Sequence, residues 1–166
     1  MAAKTPNEAP AAAPGPTPAG SRRARRQARS LALQGLYGWL LAGGEAEDIA
    51  KRLLTAEQLA KVDVTFFREL LGGTIGAARE LREEFVGLVD RPVAALSPIE
   101  HALLLMGAYE LKHCPQVPYK VAINEAIELA KTFGGTDGFR YVNGVMDKLA
   151  ARLRGAEVRA AERGAA

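Results

Sequence analysis

Five arginines lie within eight residues near the start of the chain, at Arg22, Arg23, Arg25, Arg26 and Arg29. A guanidinium group binds phosphate through a forked, charge-assisted pair of hydrogen bonds, and it also stacks on nucleobases. Residues 1–29 hold six Lys or Arg and one Glu, a net charge of +5, whereas the whole chain has +3. Spacing and charge alone favour an RNA-binding segment only slightly over a solubilising basic face.

Catalytic and metal-binding patterns are weak in this sequence. His113 and Cys114 are adjacent, but Cys–His catalysis needs side chains that converge in space, so a structural role in a turn is favoured. His101 follows Glu100, and we interpret this as a helix-surface pair because two histidines without spaced partners make a poor ligand set. Neither G-x-x-x-x-G-K-[ST] nor G-x-G-x-x-G occurs. We therefore expect no catalysis, no cofactor and no metal.

Length and composition indicate one ordinary globular domain of 166 residues. No apolar run reaches the roughly 20 residues of a membrane span. The single Cys114 cannot form an internal disulfide, which favours the cytoplasm.

Arginines before residues 31–42 superficially resemble an export signal, but Gln34 and Gly35 interrupt the apolar stretch. The sequence leaves a transit peptide open as an alternative.

The elements that must position these residues are helical. From Arg22 onward, apolar residues recur every three or four positions and no segment alternates like a strand. A first helix over about 22–41 would carry the arginines on an exposed N-terminal overhang, frayed by charge repulsion until an anion binds. We expect an Ala/Pro-rich disordered tail at 1–20, a helical domain at 21–155 and a flexible C-terminal tail at 156–166.

Capping residues divide the rest of the chain into further helices. Start signals are found at Thr55, Asp63, Ser97, Pro118 and Asp137. A single long helix is predicted after Asp63 and past Phe85, in which Gly72-Gly73 permit close helix packing or a bend. The helix after Pro118 is predicted to bury Phe133. The sequence predicts an all-α fold, an orthogonal bundle in two packed halves.

Four segments resemble the NusB family of transcription antitermination factors: RQARSLALQGLYGW (26–39), FRELLGG (67–73), VPYKVAINEAIELAKTFG (117–134) and YVNGVMDK (141–148). The resemblance covers roughly residues 22–154 and implies two three-helix halves. It further implies a cytoplasmic protein that pairs with NusE, a small-subunit ribosomal protein. That pair would bind the single-stranded boxA element of nascent RNA and join an antitermination complex on RNA polymerase, notably during ribosomal RNA synthesis.

The resemblance also implies which residues bind. Arg25, Arg26 and Arg29 match the family's arginine-rich RNA segment, and Tyr37 matches a position at the RNA and NusE surfaces. Glu100 matches a glutamate at the partner surface. The candidate RNA-binding set is Arg22, Arg25, Arg26, Arg29, Tyr37, Lys120, Asp137, Phe139, Arg140 and Tyr141.

Each candidate also has a plainer interpretation. Tyr37 could be a core tyrosine with its hydroxyl at the edge, Glu100 and Asp137 could only cap helices, and Lys120 could be a solvated lysine. Two positions depart from the family pattern: Gln27 stands where an arginine is often found, and Phe139 where relatives have a polar residue. Tyr141 replaces a phenylalanine and keeps the ability to stack.

Two other function classes remain open from the sequence. NusB-like domains also occur joined to ribosomal RNA methyltransferases, but we expect no room for a methyl-donor domain after Arg154. A helical module that binds protein alone would use its arginines only for solubility. Self-association of the free chain is a further expectation, since a surface kept for a partner can also pair with its own copy.

Overall fold

The computed structural model describes residues 20–135 and 137–165, which form nine α-helices and one 3-10 turn at Val93–Ala95. The predicted disordered tail lies, except for Gly20, outside the described residues. Within the described part no residue is in a strand, so the all-α prediction is confirmed. The helices are α1 (Arg22–Ala42), α2 (Ala46–Leu53), α3 (Ala56–Leu59), α4 (Val64–Gly76), α5 (Ala78–Phe85), α6 (Pro98–His113), α7 (Tyr119–Phe133), α8 (Gly138–Leu153) and α9 (Gly155–Ala165).

Side-chain caps determine where several helices begin. Ser21 Oγ accepts a hydrogen bond from the Ala24 backbone N–H at 3.0 Å, which starts α1 at the first arginine. Asp63 caps α4 in the same way, and Ser97 and Glu100 form the predicted capping box of α6. Each such cap satisfies backbone donors that the helix leaves free, worth about 1 kcal/mol. Asp137 occupies the N-cap position of α8, but its side chain makes no capping bond.

The central helix of the bundle is α6, which packs against α1, α4, α5, α7 and α8. Nine of its sixteen residues are buried, including Leu103, Leu104 and Leu105 in succession. A helix buried on nearly all sides is typical of a core element, and each leucine contributes about 1.5–3 kcal/mol on burial. The two halves of the fold therefore share one hydrophobic core.

The long helix predicted after Asp63 is in fact two helices. Ala77 leaves helical geometry, with φ −103° and ψ 11°, and separates α4 from α5. The prediction was wrong because Gly72, Gly73 and Gly76 each lower helix propensity by about 1 kcal/mol relative to alanine. Gly73 has a second role: the Tyr109 ring of α6 packs directly on its backbone, where a β-carbon would overlap the ring.

The flexible tail predicted from residue 156 is instead the helix α9. Its residues are mostly Ala, Glu and Arg, which have high helix propensity. Glu157 in its first turn accepts a hydrogen bond from the Tyr119 backbone N–H at 3.0 Å and one from Arg154 at 2.7 Å. Val158 packs against the hydrophobic core. The prediction was wrong because these anchors come from α7 and α8, which sequence pattern alone does not connect to the tail.

Replacing Gly73 with alanine should destabilise the fold by about 1–3 kcal/mol, because the new β-carbon forces Tyr109 out of its place between α4 and α6. Gly72→Ala is the matched control: a β-carbon there meets open space, so gain of helix propensity should leave the protein equally or more stable. Urea denaturation of both variants measures the difference. Equal stability of the two would contradict the proposed close packing.

Candidate nucleic-acid interface

The arginines of α1 fall into two groups in the structure. Arg22 and Arg23 are exposed and form no ion pair with a described residue. Arg25 is 44% exposed, with its Nε 3.9 Å from Asp63 Oδ2 and its guanidinium over the Phe66 ring. Arg26 is 51% exposed and makes two hydrogen bonds to Glu125 of α7, at 3.0 and 3.1 Å. Hence the segment is helical with carboxylate partners, not frayed by unrelieved repulsion as the sequence suggested.

Arg29 is the exception among the predicted RNA-binding arginines, because it is buried. Its side chain is 4% exposed and hydrogen-bonds the Glu110 carboxylate of α6 at 2.8 and 3.0 Å, while its guanidinium lies over the Phe66 ring. Burial raises the pKa of the Glu110 carboxyl, and the Arg29 guanidinium opposes that rise. The expectation of an exposed Arg29 was wrong, because its Nε and Nη2 both donate to a carboxylate inside the fold.

Three neighbouring cavities lie along α1 and α7, each sharing a lining residue with the next, and we call them together the α1–α7 groove. Near the start of α1, a 390 Å³ section is lined by Arg22, Arg25, Pro118 and Val121. Through Glu125 it adjoins a polar section of 220 Å³ that contains Arg26 and Gln27. Beyond Phe133 lies an apolar section of 460 Å³. The groove therefore changes along its length from basic to polar to apolar.

The apolar section of the groove is formed by residues of three helices, namely Leu33, Gln34, Tyr37, Ile99 and Phe133. Tyr37 and Phe133 are each 38% exposed. The prediction that Phe133 is buried was wrong, because this ring ends α7 at the edge of the bundle instead of inside it. Two partly exposed aromatic rings beside a cleft are typical of a contact surface, since their apolar faces are available at a small entropic cost.

The first turns of α6 and α8 lie side by side next to this section. Ile99 lines the groove, and the neighbouring Glu100 reaches α8, where a β-carbon on Gly138 would be 3.8 Å from its Oε1. Asp137 and Arg140 are exposed, with Arg140 Nε 4.0 Å from Asp137 Oδ1. Phe139 is half-buried, with the Lys131 ammonium 5.4 Å and the Arg140 guanidinium 5.7 Å from its ring centroid. Glu100 and residues 137–140 thus belong to one continuous surface.

Tyr141 is half-buried and packs against the core, and the Arg91 guanidinium lies over its ring, 4.5 Å from the centroid. Arg91 belongs to the segment between α5 and α6 and is held by Asp90, whose Oδ1 is 2.8 Å from its Nε. Burial of the Tyr141 hydroxyl and the nearby Asp90 carboxylate raise the pKa of Tyr141, so the phenol stays protonated at neutral pH.

Lys120 stands apart from the other candidates. It is exposed in the first turn of α7 and lines a shallow 240 Å³ depression with Asn124, Asn143 and Asp147. None of these residues lines the α1–α7 groove. The structure therefore brings together the α1 arginines, Tyr37, Glu100 and the start of α8, but it does not bring Lys120 to them.

The structure also gives the environment of the residues considered for catalysis. Burial raises the pKa of the Cys114 thiol to about 12, so the nucleophilic thiolate is not populated at neutral pH. His101 accepts a hydrogen bond from Arg82 Nε at 3.0 Å instead of pairing with Glu100, and burial lowers its pKa. Across residues 20–135 and 137–165, three or more His, Cys, Asp or Glu side chains nowhere cluster as a metal would require.

No helix in the described part of the chain is long and apolar enough to span a membrane.

Comparison with known proteins decides the family. The NusB family model matches residues 26–151, which is more than half of the chain. The chain belongs to the NusB family. It is 57% identical over 149 residues to the transcription antitermination protein NusB of Bordetella pertussis, covering 87% of this chain and 97% of the relative. It is 55% identical over 142 residues to the protein of that name from Azoarcus sp., covering 85% and 92%. These relatives are regulatory proteins of transcription.

Solved NusB structures share the fold of this chain. T. maritima NusB superimposes with a TM-score of 0.69 at 24% identity, over 76% of this chain and 89% of that one. A crystal structure of NusB and NusE in complex with dsRNA contains a chain that superimposes with a TM-score of 0.70 at 21% identity, over 78% and 97%. The NusB-like bundle predicted from the sequence is thereby confirmed.

Several residues of this surface were missed by sequence reasoning. Phe133 was assigned to the core, while Arg91, Lys131 and Lys148 were not considered. A sequence signal existed for Lys131 and Lys148, which are solvent-exposed cations within the matched segments. None existed for Arg91, because its contact with Tyr141 joins positions 50 residues apart through the tertiary fold.

Arg29→Ala should destabilise the protein by about 3–5 kcal/mol, because it leaves the Glu110 carboxylate buried without its cation. Arg68→Ala is the control, because its ion pair with Glu47 is exposed on both sides and should contribute no more than about 1 kcal/mol. Chemical denaturation compares the two variants. An Arg29→Ala protein that keeps its stability but loses RNA affinity would show that Arg29 contacts RNA and does not stabilise the fold.

Proposed function

We propose that this chain is a transcription antitermination factor that binds boxA-type single-stranded RNA together with NusE. In this proposal the complex acts in the cytoplasm on nascent RNA and joins RNA polymerase during ribosomal RNA transcription. The observation that carries the proposal is the α1–α7 groove, which joins exposed arginines at one end to exposed aromatic rings at the other. Membership of the NusB family supports it.

The arginines at the basic end of the groove attract the phosphates of the RNA. Arg22 and Arg23 have no carboxylate partner among the described residues, and Arg25 is only loosely associated with Asp63, at 3.9 Å. These guanidinium groups can bind phosphates and release counterions, which makes affinity fall as salt rises. Arg26 is already neutralised by Glu125, so a phosphate must compete with that carboxylate. We therefore assign the main phosphate contacts to Arg22 and Arg25, with Arg26 secondary.

The start of α8 supplies preference for unpaired bases. Phe139 is half-buried beside the cations of Lys131 and Arg140, and Arg140 is 77% exposed. A base that has left a duplex can stack on the exposed part of the Phe139 ring or on the Arg140 guanidinium, while the cations hold its phosphates. Asp137 is exposed and its side chain does not cap α8, so its oxygens are available to accept from a base amino group. This arrangement favours single-stranded RNA over duplex.

The apolar section of the groove is the surface that we assign to NusE. Tyr37, Ile99 and Phe133 form a cleft of 460 Å³, and Glu100 stands at its border. Aromatic residues at the centre with charged residues at the rim are the usual anatomy of a protein interface. The similar fold solved with NusE and dsRNA supports a partner of this kind. Without NusE, the same cleft can pair two copies of the chain.

Binding to boxA RNA and to a scrambled RNA, each with and without purified NusE, tests the proposal. We expect NusE to increase affinity for boxA much more than for the scrambled sequence, because base contacts add to phosphate contacts only on the correct RNA. A duplex of the boxA sequence is a third arm and should bind more weakly than the single strand. Equal affinity for boxA and scrambled RNA with NusE present would refute sequence-specific binding.

The double variant Arg22→Ala/Arg25→Ala should bind RNA more weakly, with a smaller dependence on salt. The slope of log K against log salt is negative, and loss of two phosphate contacts to a single strand reduces its magnitude by about 1.4. Arg79→Ala is the control, since Arg79 is 96% exposed on α5 and its nearest carboxylate partner is on the same helix. If affinity and slope survive in the double variant, the basic segment serves solubility and not RNA binding.

A further inference from the structure

A surface beyond the predicted set surrounds Tyr141. The shallow pocket beside it has a volume of 240 Å³ and is lined by Leu88, Asp90, Arg140, Tyr141, Gly144, Val145 and Lys148. Its floor is apolar, while Arg140 and Lys148 are exposed cations at its edge. Arg91 adds a third cation, placed over the Tyr141 ring. The carboxylates of Asp90 and Asp137 lie beside two of these cations, 2.8 Å from Arg91 and 4.0 Å from Arg140, whereas Lys148 has no ion pair among the described residues. Exposed cations around an apolar floor favour an anionic ligand that also has a flat apolar part.

Tyr141 is not itself open for a base to stack on. One part of its ring packs against the core, and its hydroxyl is buried without a hydrogen-bond partner among the described residues. The Arg91 guanidinium lies over the ring at 4.5 Å. A base that approaches Tyr141 therefore meets Arg91 first.

Arg91 is well placed to take the stacking role. The Tyr141 ring supports its guanidinium from below, and Asp90 accepts a hydrogen bond from its Nε at 2.8 Å. These two contacts restrict a side chain that would otherwise lose rotamer freedom on binding. The side chain is nevertheless 41% exposed, which leaves the guanidinium accessible to solvent. A planar guanidinium stacks on nucleobases and pairs with phosphate, whereas a lysine ammonium only supplies charge.

We propose that Arg91 is an RNA-binding residue, the platform on which one base of a single-stranded RNA stacks above the pocket between residues 88–91 and α8. Tyr141 is then a positioning residue that holds the platform, and Arg140 and Lys148 bind the flanking phosphates. This inference rests on the proposed RNA-binding function and adds a nucleotide subsite to it. It accounts for Tyr141 as a part of the RNA surface without requiring its buried ring to touch the base.

Arg91→Lys is the decisive variant, because it keeps the charge and removes the stacking plane. The probe is a 12-nucleotide single-stranded boxA-type RNA bound to the full chain with NusE, carrying 2-aminopurine at one position at a time. We expect one position to be quenched by the wild-type protein and not by Arg91→Lys. Affinity should fall about tenfold, as for loss of one stacked base, while the salt slope stays unchanged.

Arg68→Lys is the matched control for that variant. The Arg68 side chain is likewise 41% exposed and paired with an exposed carboxylate, that of Glu47, but it lies over no aromatic ring within the part of the chain that the structure covers. Its replacement should leave both affinity and quenching unchanged.

Gly144→Leu is a second test of the pocket. A β-carbon there meets open space on α8, so the leucine should fill the pocket and weaken RNA binding in a folded protein.

The outcomes separate this inference from the function on which it rests. Wild-type protein that shows no preference for boxA RNA would overturn the proposed function itself. Wild-type protein that binds boxA RNA, together with an Arg91→Lys variant of equal affinity and equal quenching, would overturn only the Arg91 platform. Tyr141→Phe keeps the supporting ring and should behave as wild type, whereas Tyr141→Leu should reproduce the loss of quenching seen with Arg91→Lys. Quenching that persists in folded Tyr141→Leu would refute the positioning role.

Discussion

The fold depends on one buried ion pair, between Arg29 of α1 and Glu110 of α6. Both side chains are almost fully removed from solvent, and the guanidinium is enclosed by the carboxylate and the Phe66 ring. A buried pair of this kind adds little stability over an apolar pair of equal volume, but removing one partner is costly. Its effect is therefore to fix position: α1 can meet α6 in only one rotation and one axial register.

That register explains why neighbouring arginines have different roles. Arg22, Arg25 and Arg29 follow one another at helical spacing and share one side of α1. Because Arg29 is held inside by Glu110, the same side carries Arg25 and Arg22 outward past the end of the core toward Pro118 and Val121. Asp63 and Glu125 moderate the repulsion among these charges. The basic surface is therefore formed without a ligand, which would lower the entropic cost of the RNA binding proposed above.

A second arginine ties the other half of the molecule to the same place. Arg154, at the end of α8, donates to the backbone carbonyls of Glu110, Leu111, Cys114 and Val117, and its remaining contact is Glu157 of α9. These carbonyls belong to the end of α6 and the turn before α7, and helix-end carbonyls otherwise lack partners. Arg29 and Arg154 thus meet at Glu110 from opposite halves, and α1, α7 and α8 are positioned relative to one another.

The separation along the chain between interacting residues decides how much of the structure the sequence alone predicts. Caps act over three residues and apolar periodicity over one or two turns, so Ser97, Asp63 and the stripe of α6 predicted their helices. Arg29 pairs with a residue 81 positions away, and Arg91 covers a ring 50 positions away. No local pattern distinguishes Arg29, which the fold buries, from Arg25, which it exposes. Residue type and spacing therefore predicted a basic helix, and the family resemblance predicted that this helix binds RNA. The assignment of individual arginines to core or surface required the tertiary partners.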